Sequence, residues 1–209
     1  MSGRAREKPE RPPGITLRTH EGTPYRFDPG ALCLELLTTG GPGDFARFEV
    51  LHEPADLAAW ADRSRLPKGL ELAVTDAELT AVREFRDTLY LLAADHVHGR
   101  PVDAGRLDAV NAAAAEAPLV PRLTADGTRA WPPGAATGTQ VLSTVARDVI
   151  DLFGGPYADR VRECGSHNCH LLFVDTSRPG RRRWCSMEHC GNLAKVRAHR
   201  DRARTSDRP

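Results

Sequence analysis

The sequence has no long apolar run. Nothing in its 209 residues approaches the roughly 20 apolar residues of a membrane-spanning helix, so no membrane partner is expected. The opening MSGRAREKPERPPG holds charges and prolines but not the apolar stretch of a secretory signal, and a cytoplasmic location is expected. Without export, the 5 cysteines have no oxidising compartment in which to pair as disulfides. Internal repeats are absent. Gly40, Gly41 and Gly43 lack the lysine and the following helix of a phosphate-binding loop.

What is there suits a soluble globular protein: 40% hydrophobic and 27% charged residues, at a length fit for one medium domain and a small module. The net charge of +1 hides an asymmetry. From Arg160 onward there are 12 Lys+Arg against 5 Asp+Glu, a local +7, which leaves −6 on residues 1–159. An acidic body joined to a basic end suggests a polyanionic partner for that end. A merely solvated basic terminus is the plainer alternative.

Residues 1–22 are polar, punctuated by Pro and Gly and without an apolar period; they read as a disordered lead-in. Residues 23–155 read as a mainly helical domain with a small hairpin. PGALCLELLT (29–38) is a short apolar helix stopped by the glycines that follow, and PADLAAWADRSR is a second helix begun by Pro54. Thr75 and Glu78 make a capping box ahead of Leu79, Val82, Phe85, Leu89, Leu92 and His96, which recur at helical spacing until Gly99. Leu107, Val110 and an alanine run predict a helix over about 103–117. PLVPRLTADGTRAW predicts a hairpin turning at Asp126-Gly127, with Leu123 and Trp131 in its flanks. Val141, Leu142, Val145, Val149 and Leu152 mark a last helix over 138–153 before Gly154-Gly155-Pro156. Cys33 reads as a buried, inert thiol, and His96 and His98 as capping or surface residues. Nothing in this body names a reaction.

The remaining segment, 156–209, reads Cys164-x4-Cys169-x15-Cys185-x4-Cys190. Zinc takes four ligands tetrahedrally and suits thiolates. Two close pairs meet across one ion when a short hairpin joins them, and HLLFVDTSRPGRRRW supplies one: a strand over Leu171–Val174, a turn at Ser177–Gly180 and a return strand to Trp184. One structural zinc is therefore expected on these four cysteines, with four unrelated reduced thiols as the plainer reading. His167, His170 and His189 sit beside the pairs and are expected to support the ligands or face phosphates, since four thiolates complete the shell.

Basic residues flank the cysteines. Arg181, Arg182 and Arg183 lie in the hairpin return, where alternate side chains project to one face. After Cys190, GNLAKVRAHRDRAR is helix-forming and places Leu193, Arg197, Arg200 and Arg204 in one stripe and Lys195, His199 and Arg202 in its neighbour. Val196 and Ala203 are expected to face the zinc core. Guanidiniums suit phosphate oxygens and guanine edges, so Arg181, Arg182, Arg183, Lys195, Arg197, His199, Arg200 and Arg204 are the candidate nucleic-acid contacts.

At these residues, above all LFVDTSRPGRRRWCSMEHC followed by GNLAKVRAHR, the sequence resembles the CGNR zinc-finger proteins of bacteria, described as stress-induced transcription regulators. The body, with CLELLTT and the PADLAAW helix, is loosely similar to the domain found with that finger. The resemblance implies a DNA-binding finger beside a domain of an effector-sensing kind. It has one departure: the name motif Cys-Gly-Asn-Arg reads Cys190-Gly191-Asn192-Leu193, so the zinc ligands are intact while the head of the basic stripe is apolar. The expected fold class is α+β, a mainly helical N-terminal domain followed by a zinc-stabilised β-hairpin and helix. The expected function is a non-enzymatic, DNA-binding transcriptional regulator. The alternatives are a zinc-stabilised protein-interaction module, and a metal-dependent nuclease of His–Asn–His type built on Asn168, His170, His189, Asn192 and His199.

Overall fold

The computed structural model describes residues 14–19 and 21–206, without the side chains of 201 and 203–206. It opens with an antiparallel hairpin, β1 (Ile15–Arg18) and β2 (Pro24–Phe27), which sets Ile15 opposite Phe27 and Leu17 opposite Tyr25. The lead-in read as disordered thus carries a strand; its residues 1–13 and His20 lie outside the described residues. Its cause is a period-two alternation, Ile15 and Leu17 in one strand and Tyr25 and Phe27 in the other, joined through Gly22 at φ +83°.

The body is built from α1 (Leu32–Leu36), α2 (Pro54–Arg63), α3 (Asp76–Val97), α4 (Ala104–Ala115) and α5 (Gly138–Phe153). Each long helix begins where a side chain satisfies its orphan donors. At the start of α3, Thr75 Oγ1 accepts from the Glu78 amide at 3.2 Å while Glu78 Oε2 accepts from the Thr75 amide at 2.9 Å. Thr137 and Gln140 repeat the arrangement at α5, and Glu53 and Asp56 at α2, where Pro54 takes the first helical position. Glu78 also receives the Thr139 amide and hydroxyl at 3.1 Å, tying the two helix starts together. Burial opposes ionisation there, yet these donors hold the Glu78 carboxyl down to about 2.

The stripe Leu79, Val82, Phe85, Leu89 and Leu92 is buried against Val141, Val145, Val149 and Leu152 of α5, with Leu34, Leu51, Leu57 and Trp60 completing one core. Cys33 is fully buried in it, and burial pushes its thiol well up. Two short ladders decorate the body: β3 (Leu72–Ala73) runs parallel to β6 (Ala136–Thr137), and β4 (Arg122–Leu123) pairs antiparallel with β5 (Arg129–Ala130). The second is the hairpin expected around Asp126-Gly127, Gly127 taking φ +80° in the turn.

After α5 the chain turns into β7 (Val161–Glu163), antiparallel to β8 (Leu172–Val174). The alternation of β8 divides the interior: Leu172 and Val174 join Val161 in the body core, whereas Phe173 points to a second cluster made of Tyr25, Phe27 and the cysteines. At the crossing of the two layers the Val174 amide donates to the Pro29 carbonyl at 2.8 Å. Gly30 lies beneath at φ +87°, where a Cβ would stand 2.9 Å from the Val174 Cβ, so only glycine fits. Among the described residues no helix is long and apolar enough to cross a membrane.

Candidate metal centre and basic face

Four local turns bring the thiols together. Cys164 follows β7, its amide extending the ladder to the Leu171 carbonyl at 3.0 Å, and the Cys169 amide closes a turn on Ser166 at 3.1 Å. Beyond β8 stands Asp175, buried, whose carboxylate organises the next turn: Oδ1 accepts from the Ser177 amide and hydroxyl at 3.0 and 2.6 Å, and Oδ2 from the Arg182 amide at 2.8 Å. Burial resists the charge, but these donors hold the Asp175 carboxyl below the usual carboxylate range. The Cys185 amide then points at Cys164 Sγ at 3.3 Å. A wide helical turn, Met187–Gly191, carries Cys190; Ser186 caps it, and the Gly191 amide closes it on the Ser186 carbonyl at 2.9 Å.

The return segment forms no strand, contrary to the hairpin expected there; β8 pairs with β7 instead. The physical reason is the Asp175 carboxylate, which takes the Arg182 amide that a ladder would need, and the Gly165 amide, which claims the Arg183 carbonyl at 2.9 Å.

The ligand atoms of Cys164, Cys169, Cys185 and Cys190 all lie within 4.8 Å of one another. No disulfide joins them. The Cys169 and Cys185 sulfurs are 3.7 Å apart; a tetrahedron with metal–sulfur bonds of about 2.3 Å has edges of about 3.8 Å. Crowding also demands a cation. Hydrogen bonds from Cys169 and Cys185 draw the Cys164 thiol down, while the anion so formed pushes Cys169 and Cys185 up. Four thiolates can coexist only around a positive ion. Donor set, spacing and burial fit a single structural zinc, which would tie the four turns together.

The centre has a further wall, outside the residues expected to build it. Tyr25 and Phe27 of β2 are buried against Cys164, Phe173, Cys185 and Cys190, and Tyr25 stacks on His189 with ring centroids 4.8 Å apart. Burial first, then the neighbouring sulfurs, pushes the Tyr25 hydroxyl upward. The Arg26 amide donates to Glu188 Oε2 at 3.1 Å, fixing the turn that bears Cys190. The alternation of ITLR and PYRF about Gly22 was the available signal; its destination was not in the sequence.

The basic residues divide. Arg181 and Arg183 are exposed, and no described carboxylate pairs with either. Arg182, also among the candidate contacts, turns inward. It lies over the Phe173 ring at 4.1 Å and donates to the carbonyls of Asp28, Trp184 and Cys185 at 3.0, 3.2 and 2.6 Å. The last helix, α6 (Asn192–Ser206), carries Lys195, Arg197, His199 and Arg200 exposed; the side chain of Arg204 lies outside the described residues. Val196 is 47% exposed, not turned to the zinc core, and Leu193 is 42% exposed. The cause is that α6 extends past the small cysteine cluster, and its main contact is the turn that precedes it. The Cys190-Gly191-Asn192 motif makes that joint. A Cβ at Gly191 would meet the Met187 sulfur at 2.6 Å, and Asn192 Nδ2 donates back to the Glu188 carbonyl at 3.3 Å. Of the other histidines, His170 and His98 share the Glu163 carboxylate at 2.6 and 2.7 Å, and His96 bonds the Ala158 carbonyl at 2.9 Å.

Residues 30–156 match the model of the ABATE family, described as "Putative stress-induced transcription regulator". The chain belongs to the ABATE family. Residues 160–203 match the CGNR zinc finger, the stretch that holds all four cysteines. No curated protein matches the chain. This ABATE protein therefore carries a CGNR finger with one structural zinc site, and both matched families are regulatory or zinc-binding rather than enzymatic. Its β1–β2 hairpin lies ahead of both matched stretches.

Proposed function

We propose that this ABATE protein is a cytoplasmic, DNA-binding transcriptional regulator of bacterial type that serves in a stress response. In this reading residues 156–209 are the DNA-contacting finger and residues 23–155 an effector-sensing domain. The observation that carries it is the α6 face: Lys195, Arg197, His199 and Arg200 are all exposed on one projecting helix rooted in the cysteine cluster, with no described carboxylate paired to Lys195, Arg197 or Arg200. Arg181 and Arg183 add cations on the preceding loop. Each phosphate contact releases condensed counterions, so log affinity falls with log salt at roughly −0.9 per contact. Replacing Arg197 and Arg200 together with alanine should weaken binding to every duplex and flatten that slope by about two units. Leu193→Arg should do the reverse. Selection from a random DNA pool then separates a regulator, which yields a consensus, from a nonspecific binder.

A second reading, docking of a protein partner, is favoured by the exposed Met187, Leu193 and Val196 around the start of the same helix. Affinity that is unchanged in the double alanine variant would move this reading ahead.

A further inference from the structure

The four sulfurs of the metal centre are not equally sheltered. Tyr25, Phe27 and Phe173 cluster with Cys164, Cys185 and Cys190, which are 5%, 2% and 2% exposed. Of the four, Cys169 stands at the edge of that cluster and is part-exposed. Its chain neighbours His167, Asn168 and His170 are all exposed, so the loop around it is open to solvent.

Its position supplies a partner as well. The Cys169 and Cys185 sulfurs are 3.7 Å apart, and closing that gap to a disulfide of about 2.05 Å takes a shift of about 1.7 Å. The loop ahead of Cys169 is fastened to the segment that carries Cys185. The Gly165 amide donates to the Arg183 carbonyl at 2.9 Å, and a Cβ at Gly165 would lie 3.4 Å from the Trp184 ring. Cysteines that ligate zinc are held as thiolates, the form of sulfur that attacks an oxidant. In a compartment kept reducing, a disulfide made this way is transient, as in redox sensing.

We infer that Cys169 is a site of oxidative modification, at which a hydroperoxide converts the Cys169–Cys185 pair to a disulfide and opens the finger. The Cys169 sulfur attacks a peroxide oxygen; an S–O bond forms, the O–O bond breaks, and hydroxide or alkoxide leaves. The Cys185 sulfur then attacks the sulfenic acid on Cys169, forming the S–S bond and expelling hydroxide. The two thiolates give up two electrons, the peroxide takes the same two, and the departing oxygens gain protons from water. A thiol reductant reverses the change. Two of the four ligands are lost in the process, and with them the metal that ties the turns together. The inference rests on the zinc centre and is independent of DNA binding.

The test treats the full-length, zinc-loaded chain with limiting hydrogen peroxide. A chromogenic chelator follows zinc release, and mass spectrometry maps the cysteines with and without dimedone. About one zinc should leave per peroxide consumed. The first dimedone adduct should form on Cys169, and without dimedone the disulfide should join Cys169 to Cys185. Reductant with added zinc should restore the metal content. Cys169→His offers a ligand that cannot form a sulfenic acid; it should hold zinc and release it at least about tenfold more slowly. Cys33→Ser, which alters a fully buried thiol of the body core, should behave as the parent. A first adduct on Cys164, Cys185 or Cys190 overturns the assignment, as does a disulfide that uses Cys164 or Cys190 or joins two chains. Zinc held in excess peroxide overturns it too, as does release from Cys169→His at the parent rate or slowed release from Cys33→Ser. Should Cys169→His hold no zinc, the adduct and disulfide maps of the parent decide alone.

Discussion

The helical body and the zinc finger are stabilised in opposite ways. In the body, stability is spread over a core shared by five helices, where each fully buried aliphatic side chain contributes roughly 1.5–3 kcal/mol and no one residue is decisive. In the finger it is concentrated in four sulfurs and the few rings around them, Tyr25, Phe27 and Phe173. A cluster that small cannot offset the entropy of ordering its loops without a metal. The difference teaches where each region is vulnerable. It is not a clean division, because Leu172 and Val174 of β8 belong to the body core while Phe173 between them belongs to the finger.

The largest effect should come from the metal. Cys185→Ser, or a strong chelator, removes an interaction on the order of 10 kcal/mol in small zinc modules. The finger should unfold while the helical circular dichroism of α2–α5 largely remains, and zinc should fall from about one per chain to little. Because β8 also fills the body, the thermal midpoint of the body should drop as well. A body unaffected by zinc loss would show that the two cores are independent.

Next in size is Phe27→Ala, a fully buried ring 137 residues ahead of Cys164. Truncating a core Phe costs about 3–5 kcal/mol, and here the loss should appear as faster zinc release to a chelator. Zinc release at the parent rate would mean the hairpin is not a wall of the centre. A smaller effect, about 1–3 kcal/mol, is expected for Arg182→Ala, which leaves three carbonyls without their donor. Arg181→Ala, one residue earlier and exposed, should leave stability unchanged. The contrast between these neighbours, read from urea unfolding of zinc-loaded protein, tests the inward turn of Arg182.

The mildest perturbation concerns the body alone. Glu78 is lowered from 4.5 to about 2 in the folded chain. A depressed carboxyl contributes stability above its unfolded pKa and loses it as pH falls through the folded one. Body stability should therefore decline between about pH 4.5 and pH 2, and Glu78→Gln should flatten that decline. An identical decline in the variant would assign it to other carboxylates.

Much of this was legible in residue order. The capping box at Thr75 and Glu78, the stripes of α3 and α5, the turn at Asp126-Gly127 and the four zinc ligands are local patterns, each decided within a few residues of backbone geometry. So was the basic character of α6. Three things were not. The partner of β8 was misjudged because a buried carboxylate, Asp175, competes for the amide of Arg182, and burial is not visible in a string of residues. The direction of Arg182 among three successive arginines depends on which carbonyls stand nearby. The role of Tyr25 and Phe27 depends on a contact between the two ends of the chain. Sequence specifies periods, caps and ligand spacings because these act over one or two turns of backbone. Which surface a short amphipathic hairpin covers is set by the exposed apolar face left over when everything else has packed, and only the tertiary structure holds that information.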